Sequence, residues 1–155
     1  ILCQGNGILN VGDETRIYHG RWANTADVKD YTAEVALATL PRDRWGAMGL
    51  VPGAEEGSVW TAPVKIPKKK TVRLLVNADG AAGLRVEVAD ERFAFLPEFS
   101  RERAGVVEGS GGLDLEVAWR DHALAELGSR SVRFRVTLAR SGTLNPRLYA
   151  MSVTG

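Results

Sequence analysis

Apolar and polar residues alternate along most of this chain, in short runs separated by glycine-rich turns. The alternation is clearest from Val132 to Leu138, and residues 72–76 and 84–88 repeat it in most positions. A period of two places successive side chains on opposite faces of a strand, so that one face packs inward and the other is hydrated. The pattern therefore predicts an all-β protein with antiparallel sheets stacked as a β-sandwich.

Nine strands and one short helix follow from the pattern and from the turn residues between its runs. The helix is expected at residues 121–127, with one or two turns ended by Gly128. The predicted strands cover residues 8–11, 15–19, 33–40, 58–64, 71–77, 84–90, 113–120, 132–140 and 148–153.

The chain divides by composition at residues 51–57, which combine turn formers with two acidic residues. We expect a β-hairpin segment over residues 1–50, packed directly on a β-sandwich of residues 51–155. The hairpin turns at Gly12-Asp13 and is too short to bury a core alone. Because the chain also opens at Ile1 without a start methionine, it is interpreted as the carboxy-terminal part of a longer protein or as a product trimmed from one.

Four stretches together carry a resemblance to a known arrangement. They read VGDETRIYHG at 11–20, ALATLPRD at 36–43, GLRVEV at 83–88 and LGSRSVRF at 127–134. In this combination the chain resembles the carboxy-terminal end of five-bladed β-propeller proteins similar to the invertase- and arabinanase-type glycoside hydrolases. The family's double tyrosine and double glycine are replaced here by Tyr18-His19-Gly20-Arg21.

The resemblance implies an architecture and a biological context. Residues 1–50 would be a remnant of the last propeller blade, and the sandwich after it would be of the jelly-roll or lectin-like type. The family's catalytic carboxylates lie on earlier blades, so none is expected here. A carbohydrate ligand is implied, and a secreted or periplasmic location is favoured. Residues 1–40 would meet a missing propeller domain or a second copy of the chain.

Composition removes several other classes of function. Apolar residues make up 45% of the chain and charged residues 25%, as in ordinary globular domains. Lys and Arg number 20 against 19 acidic residues, so a formal charge of +1 gives no field that would favour nucleic acid or an anionic membrane. Cys3 is the single cysteine, which excludes an internal disulfide and a metal site built on thiolates.

Aromatic side chains give the strongest candidate chemistry, because the C–H face of a sugar ring stacks on an aromatic ring. Trp22 stands beside a polar loop and His19 ends a strand near it, so these two are the leading sugar-contacting candidates. Trp60 and Trp119 follow them, although a position in the sandwich core or at a sheet interface is the favoured explanation of both.

Acidic residues offer a weaker alternative. Glycoside hydrolysis needs two carboxyl groups flanking one bond, and the close acidic pairs are Asp13-Glu14, Glu55-Glu56, Asp90-Glu91 and Asp114 with Glu116. All four fit solvated turns or the wet face of a strand, so no catalytic residue is assigned. Asn77 and Asp79 near Gly80 offer oxygens to Ca²⁺, but too few for a site, and no cofactor is expected.

Three hypotheses follow from the sequence. The first is a non-catalytic accessory module that binds carbohydrate by aromatic stacking. The second is a structural domain that braces a propeller or an oligomer, which predicts an exposed apolar patch and a free strand edge within residues 7–40. The third is a small glycoside hydrolase, which requires two acids facing one cleft.

Overall fold

The computed structural model describes residues 2–26 and 29–155, and for residues 2–6 it describes the backbone alone. The side chain of Cys3, predicted to be an inert thiol, lies outside the described part. The chain separates into two compact units, Ile1–Trp45 and Gly46–Gly155. The division falls slightly before the predicted boundary, because residues 48–49 pair with the last strand of the second unit.

The first unit is a single antiparallel sheet of three strands in the order β1-β2-β3. The strands are β1 (Leu2–Val11), β2 (Glu14–Ala23) and β3 (Thr32–Pro41). Three side chains fix the turn end of this sheet. Asn10 donates to the Asp43 carboxylate at 2.8 Å, and the buried Thr15 hydroxyl donates to the Asn10 carbonyl at 2.7 Å and accepts the Asp43 backbone N–H at 3.0 Å.

The second unit is one antiparallel sheet of nine strands that curls until it almost closes. Its strands follow the path β4-β12-β7-β10-β9-β8-β11-β5, and β6 pairs beside β11. The strands are β4 (Met48–Gly49), β5 (Glu56–Trp60), β6 (Val64–Lys65), β7 (Arg73–Asp79), β8 (Arg85–Ala89), β9 (Gly105–Val107), β10 (Gly111–Ala118), β11 (Ser131–Ala139) and β12 (Arg147–Thr154).

One strand forms the corner between the two layers of this unit. The first part of β10 pairs with β7 up to Glu116, and Val117 and Ala118 pair with β9. A register shift between Gly112 and Leu115 accompanies the bend. The result is a sandwich-like arrangement in which both layers belong to a continuous sheet, which confirms the predicted all-β, antiparallel fold.

The core of the second unit comes from the alternate positions that the sequence pattern marked as apolar. Val132, Phe134 and Val136 of β11 are almost completely buried, and Val86 and Val88 of β8 pack beside them. Trp119 covers one end of the core and requires a glycine below it. A Cβ atom at Gly105 would lie 2.6 Å from Trp119 Cε2, so no larger residue fits without displacing the indole.

Each predicted strand has an observed counterpart, but β1 begins at Leu2 instead of residue 8 and β2 ends at Ala23 instead of residue 19. The 3-10 helices Ala81–Gly83, Pro97–Phe99 and Arg101–Arg103 were not predicted. The expected strand 58–64 is interrupted at residues 61–63, and β4 and β9 were not predicted. The expected helix at 121–127 is a short 3-10 helix, Leu124–Leu127. Glu126 fixes it by accepting the Ala123 backbone N–H at 2.7 Å. That hydrogen bond, and secondly the contact with His122, lower the pKa of Glu126.

Candidate functional site

The outer face of three adjacent strands carries the most elaborate group of polar side chains in the second unit. On β11, Arg135 lies opposite Trp60 of β5 on one side and opposite Glu87 of β8 on the other. Two residues further along, Thr137 lies in the same way between Ser58 and Arg85. Because facing residues of an antiparallel pair share a face, these side chains project together away from the core.

All of these side chains except Trp60 line a depression of about 420 Å³, which we call the polar cleft. Its volume lies in the range of small-ligand pockets. Ser58 and Thr137 contribute hydroxyl groups to its floor. Its charged residues are Glu56, Glu87, Glu102, Arg85, Arg101 and Arg135. Three acids and three cations leave the cleft formally neutral.

Glu87 is the fixed centre of the cleft. Its side chain is only 8% exposed, although it carries a charge. Arg135 binds one oxygen of the Glu87 carboxylate through both Nε, at 2.7 Å, and Nη2. The backbone N–H of Arg101 donates to the other oxygen at 2.9 Å. Both oxygens are thus held by protein donors, as a buried carboxylate requires.

An aromatic group lies next to Arg135, one of the residues that line the polar cleft, and we call it the aromatic wall. It consists of Trp60, Phe93 and Phe95. The Trp60 ring meets Phe93 edge-on, with centroids 5.1 Å apart, and Phe95 at a 31° tilt, with centroids 5.5 Å apart. Arg135 joins the wall to the cleft, because its guanidinium lies 4.7 Å from the centre of the Phe95 ring.

The structure separates the two tryptophans that were predicted to contact sugar in the second unit. Trp60 is half-buried, and its ring projects from β5 to contact Phe93 in the aromatic wall. Trp119 is 8% exposed and packs edge-on against the buried Phe99, with centroids 5.8 Å apart. The core explanation therefore holds for Trp119 and not for Trp60.

His19 and Trp22, the leading candidates from the sequence, do not form one site. They are three positions apart on β2, which pairs with β3 without a bulge, so they lie on opposite faces of the first unit's sheet. Trp22 is 39% exposed and meets the ring of Tyr31 edge-on at 5.9 Å. His19 is half-buried. A sugar-contacting role for either residue stays a prediction.

Each acidic pair from the sequence has at least one member in contact with another residue, and in the pair Asp114 with Glu116 it is Glu116, which lies 3.8 Å from Arg73. Glu14 pairs with Arg16 at 3.0 Å, and Glu56 pairs with Arg85 at 2.8 Å. Asp90 accepts the backbone N–H groups of Arg92 and Ala94 and so builds its own turn. Glu87, which the sequence reasoning missed, was visible only as a charged residue inside the apolar run of β8.

The residues described with their side chains, 7–26 and 29–155, show neither a cluster of metal-binding side chains nor a membrane-spanning helix. Within these ranges no group of three or more His, Cys, Asp or Glu residues is placed to hold a metal ion. Asp79, considered for Ca²⁺, accepts a hydrogen bond from the Tyr149 hydroxyl at 2.9 Å. None of the helices in these ranges has the length and apolar character to cross a membrane.

Comparison with known proteins adds no relative. No protein-family model, curated protein or solved structure matches the chain. The resemblance to propeller-associated glycoside hydrolases therefore stays an expectation from the sequence, and the functional argument rests on the polar cleft and the aromatic wall.

Proposed function

We propose that the second unit binds a neutral carbohydrate, without acting on it chemically, in the polar cleft. The observation that carries the proposal is the balance of donors and acceptors beside the aromatic wall. Sugar hydroxyls both donate and accept hydrogen bonds, so a cleft with three carboxylates, three guanidinium groups and two hydroxyls can satisfy them in many orientations. The aromatic wall offers rings for the C–H face of the sugar.

The charge balance also favours a neutral ligand over an anionic one. Phosphate or nucleic-acid sites collect cations without matching acids, whereas here every arginine of the cleft has an acidic counterpart. Two pairs are made within the protein, Arg135 with Glu87 and Arg85 with Glu56. The two remaining charged residues, Arg101 and Glu102, are exposed, so their polar atoms can meet a ligand.

Hydrolysis is the less supported use of this cleft. A glycosidase needs one carboxyl group that carries a proton to the leaving oxygen. Glu87 is instead held in an ion pair by Arg135, and Glu56 is paired with Arg85. These contacts suit carboxylates that serve as hydrogen-bond acceptors, which is the role that the proposal gives them.

The proposal predicts binding of the chain to one class of polysaccharide, weakened by a change at Arg101. The probes are arabinan, xylan, inulin, levan, cellulose and pectin on an array, followed by calorimetry with oligosaccharides of the polysaccharide that binds. Arg101→Asn removes the guanidinium and suits the positive φ of 59° at this position. The affinity should fall about tenfold, since a hydrogen bond to a charged group is lost.

Matched variants separate the cleft from other surfaces. Arg120→Asn makes the same change at an exposed position outside the cleft and should leave the affinity unchanged. Trp22→Ala tests the residue that the sequence favoured in the first unit. Equal binding by Arg101→Asn and the unmodified chain would place the site elsewhere, and loss in Trp22→Ala alone would move it to the first unit. No binding to any polysaccharide would contradict the proposal.

A structural role for the first unit is the second candidate. None of the hydrophobic side chains described in this unit is buried, and its three strands form a single layer. A sheet buries its apolar face only when a second layer packs against it. Leu9, Tyr18 and Leu37 share one face of it, and each is at least 39% exposed. These observations favour the predicted apolar patch and a role in bracing a propeller or an oligomer.

This second role predicts that the chain associates with itself. Sedimentation at increasing concentration should show dimers or larger species, and Leu37→Lys should return the chain to the monomer by placing a charge on the patch. Thr39→Lys, on the same strand and face but at a polar position, serves as the control. A chain that stays monomeric at high concentration would speak against self-association.

A further inference from the structure

The most unusual backbone position near the polar cleft is Phe93. Its φ is +67°, in the left-handed region that side chains with a Cβ avoid and that large aromatic residues occupy rarely. It lies in the turn that joins β8 to Phe95, which bridges back to Ala89. Glycine or asparagine would adopt this conformation with less strain. The free-energy cost of phenylalanine here must therefore be offset by something else.

The turn itself does not require the phenyl ring. Asp90 organises it by accepting the N–H of Arg92 at 2.8 Å and of Ala94 at 2.9 Å, and the backbone of Phe93 donates to Asp90 at 3.1 Å. All of these bonds involve the Asp90 side chain or the backbone. Any residue that tolerates positive φ would keep them.

Burial does not offset the cost either, because Phe93 is 51% exposed. Its ring is nevertheless fixed in place. The Arg133 guanidinium lies 4.3 Å from the ring centre, and Trp60 meets the ring edge-on. Arg133 is itself anchored by the backbone oxygens of Glu91, at 3.0 Å, and Thr61, at 2.9 Å. A ring held by two neighbours and still half exposed has the form of a stacking platform.

A second strained residue borders the same cleft. The second unit has three non-glycine residues with positive φ, Phe93, Arg101 and Ser129. Arg101 lines the cleft beside Glu87, and Phe93 contacts Trp60, which lies next to Arg135 of the cleft. Strained backbone conformations concentrate at binding sites, where the geometry serves a ligand rather than the fold.

We propose that Phe93 is the stacking platform of the carbohydrate site and sets its preference for a ligand with a flat C–H face. Trp60 and Arg133 then act as its supports and do not themselves carry the sugar. This inference rests on the proposed function, because it names the residue that would bind the ring of the ligand held in the polar cleft.

The test uses a change that relieves strain while removing the ring. Phe93→Asn should leave the melting temperature of the full chain unchanged or raise it by a few degrees, and should weaken binding at least tenfold. The probe is the oligosaccharide of whichever array polysaccharide the unmodified chain binds. Phe93→Tyr keeps an aromatic face and should bind within about twofold of the unmodified chain.

Ser129→Asn is the matched control, since Ser129 also has a positive φ, 70°, and is exposed away from the polar cleft. It should match Phe93→Asn in stability and leave the affinity unchanged. Full affinity in Phe93→Asn would overturn the inference, as would a loss of stability and affinity together, which would make the ring a structural element. Absence of binding by the unmodified chain would instead reject the proposed function on which the inference rests.

Discussion

Replacing Arg135 by methionine is expected to lower the free energy of unfolding by about 3 kcal/mol. The change removes the guanidinium that binds Glu87 and leaves a buried carboxylate with the Arg101 N–H as its remaining partner. An uncompensated buried charge is among the most destabilising changes in a folded protein. The figure lies at the low end of the usual range because the Arg135 side chain is 34% exposed. Denaturation by urea at neutral pH measures it.

The controls separate the loss of charge pairing from the loss of packing. Arg85→Met removes the cation of the Arg85–Glu56 pair, whose side chains are both more than half exposed, and should cost well under 1 kcal/mol. The double variant Arg135→Met with Glu87→Gln should recover part of the loss, because the unpaired charge is gone. A cost for Arg135→Met no larger than that of Arg85→Met would show that water reaches Glu87 freely.

Trp119→Ala is expected to lower the free energy of unfolding by about 4 kcal/mol. Because the side chain is buried, the change should remove no contact with a ligand. The indole is buried between Phe99 and the space left by Gly105, so its removal creates a cavity at the end of the core. Sugar binding, where it is measurable in the folded variant, should be unchanged. Equilibrium unfolding and calorimetry on the same sample test both statements.

Two further tryptophan variants serve as controls for Trp119→Ala. Trp45→Ala removes the same side chain at a position that is 58% exposed and should change stability by less than about 0.5 kcal/mol. Trp119→Phe keeps most of the buried volume and removes the indole N–H, so it should cost much less than the alanine variant. Loss of affinity in Trp119→Phe without loss of stability would restore Trp119 as a sugar-contacting residue.

The core of the second unit could be predicted from the sequence because each strand carries its own signal. The alternation along β11 places Phe134 inside and Arg133 and Arg135 outside, and the structure agrees. In the same way, Val117 near the end of β10 and Trp119 just after it are two positions apart, which predicts the same face for both, and both are buried. Strands of two or three residues, such as β4 and β9, have no period to detect.

The polar cleft could not be predicted, because it depends on which strands become neighbours. The alternating pattern predicts that Glu87 and Arg135 lie on the strand faces opposite the apolar residues. It does not predict that they meet, because 48 positions separate them in the chain. Only the β8–β11 register brings them together. The proposed role of Phe93 could not be predicted for a different reason. It is argued from a positive φ angle, and the sequence around a phenylalanine does not show that the residue adopts one.

The strand path also decides when this domain can fold as it is synthesised. The first strands of the second unit pair with the last ones, β4 with β12 and β5 with β11, so their partners leave the ribosome almost a whole domain later. Until then Val59 and Trp60 lie on a strand with both edges free, in a chain whose sandwich cannot close. The acidic residues Glu55 and Glu56 at the start of β5 place negative charge beside its unpaired edges, and this charge opposes pairing with other chains.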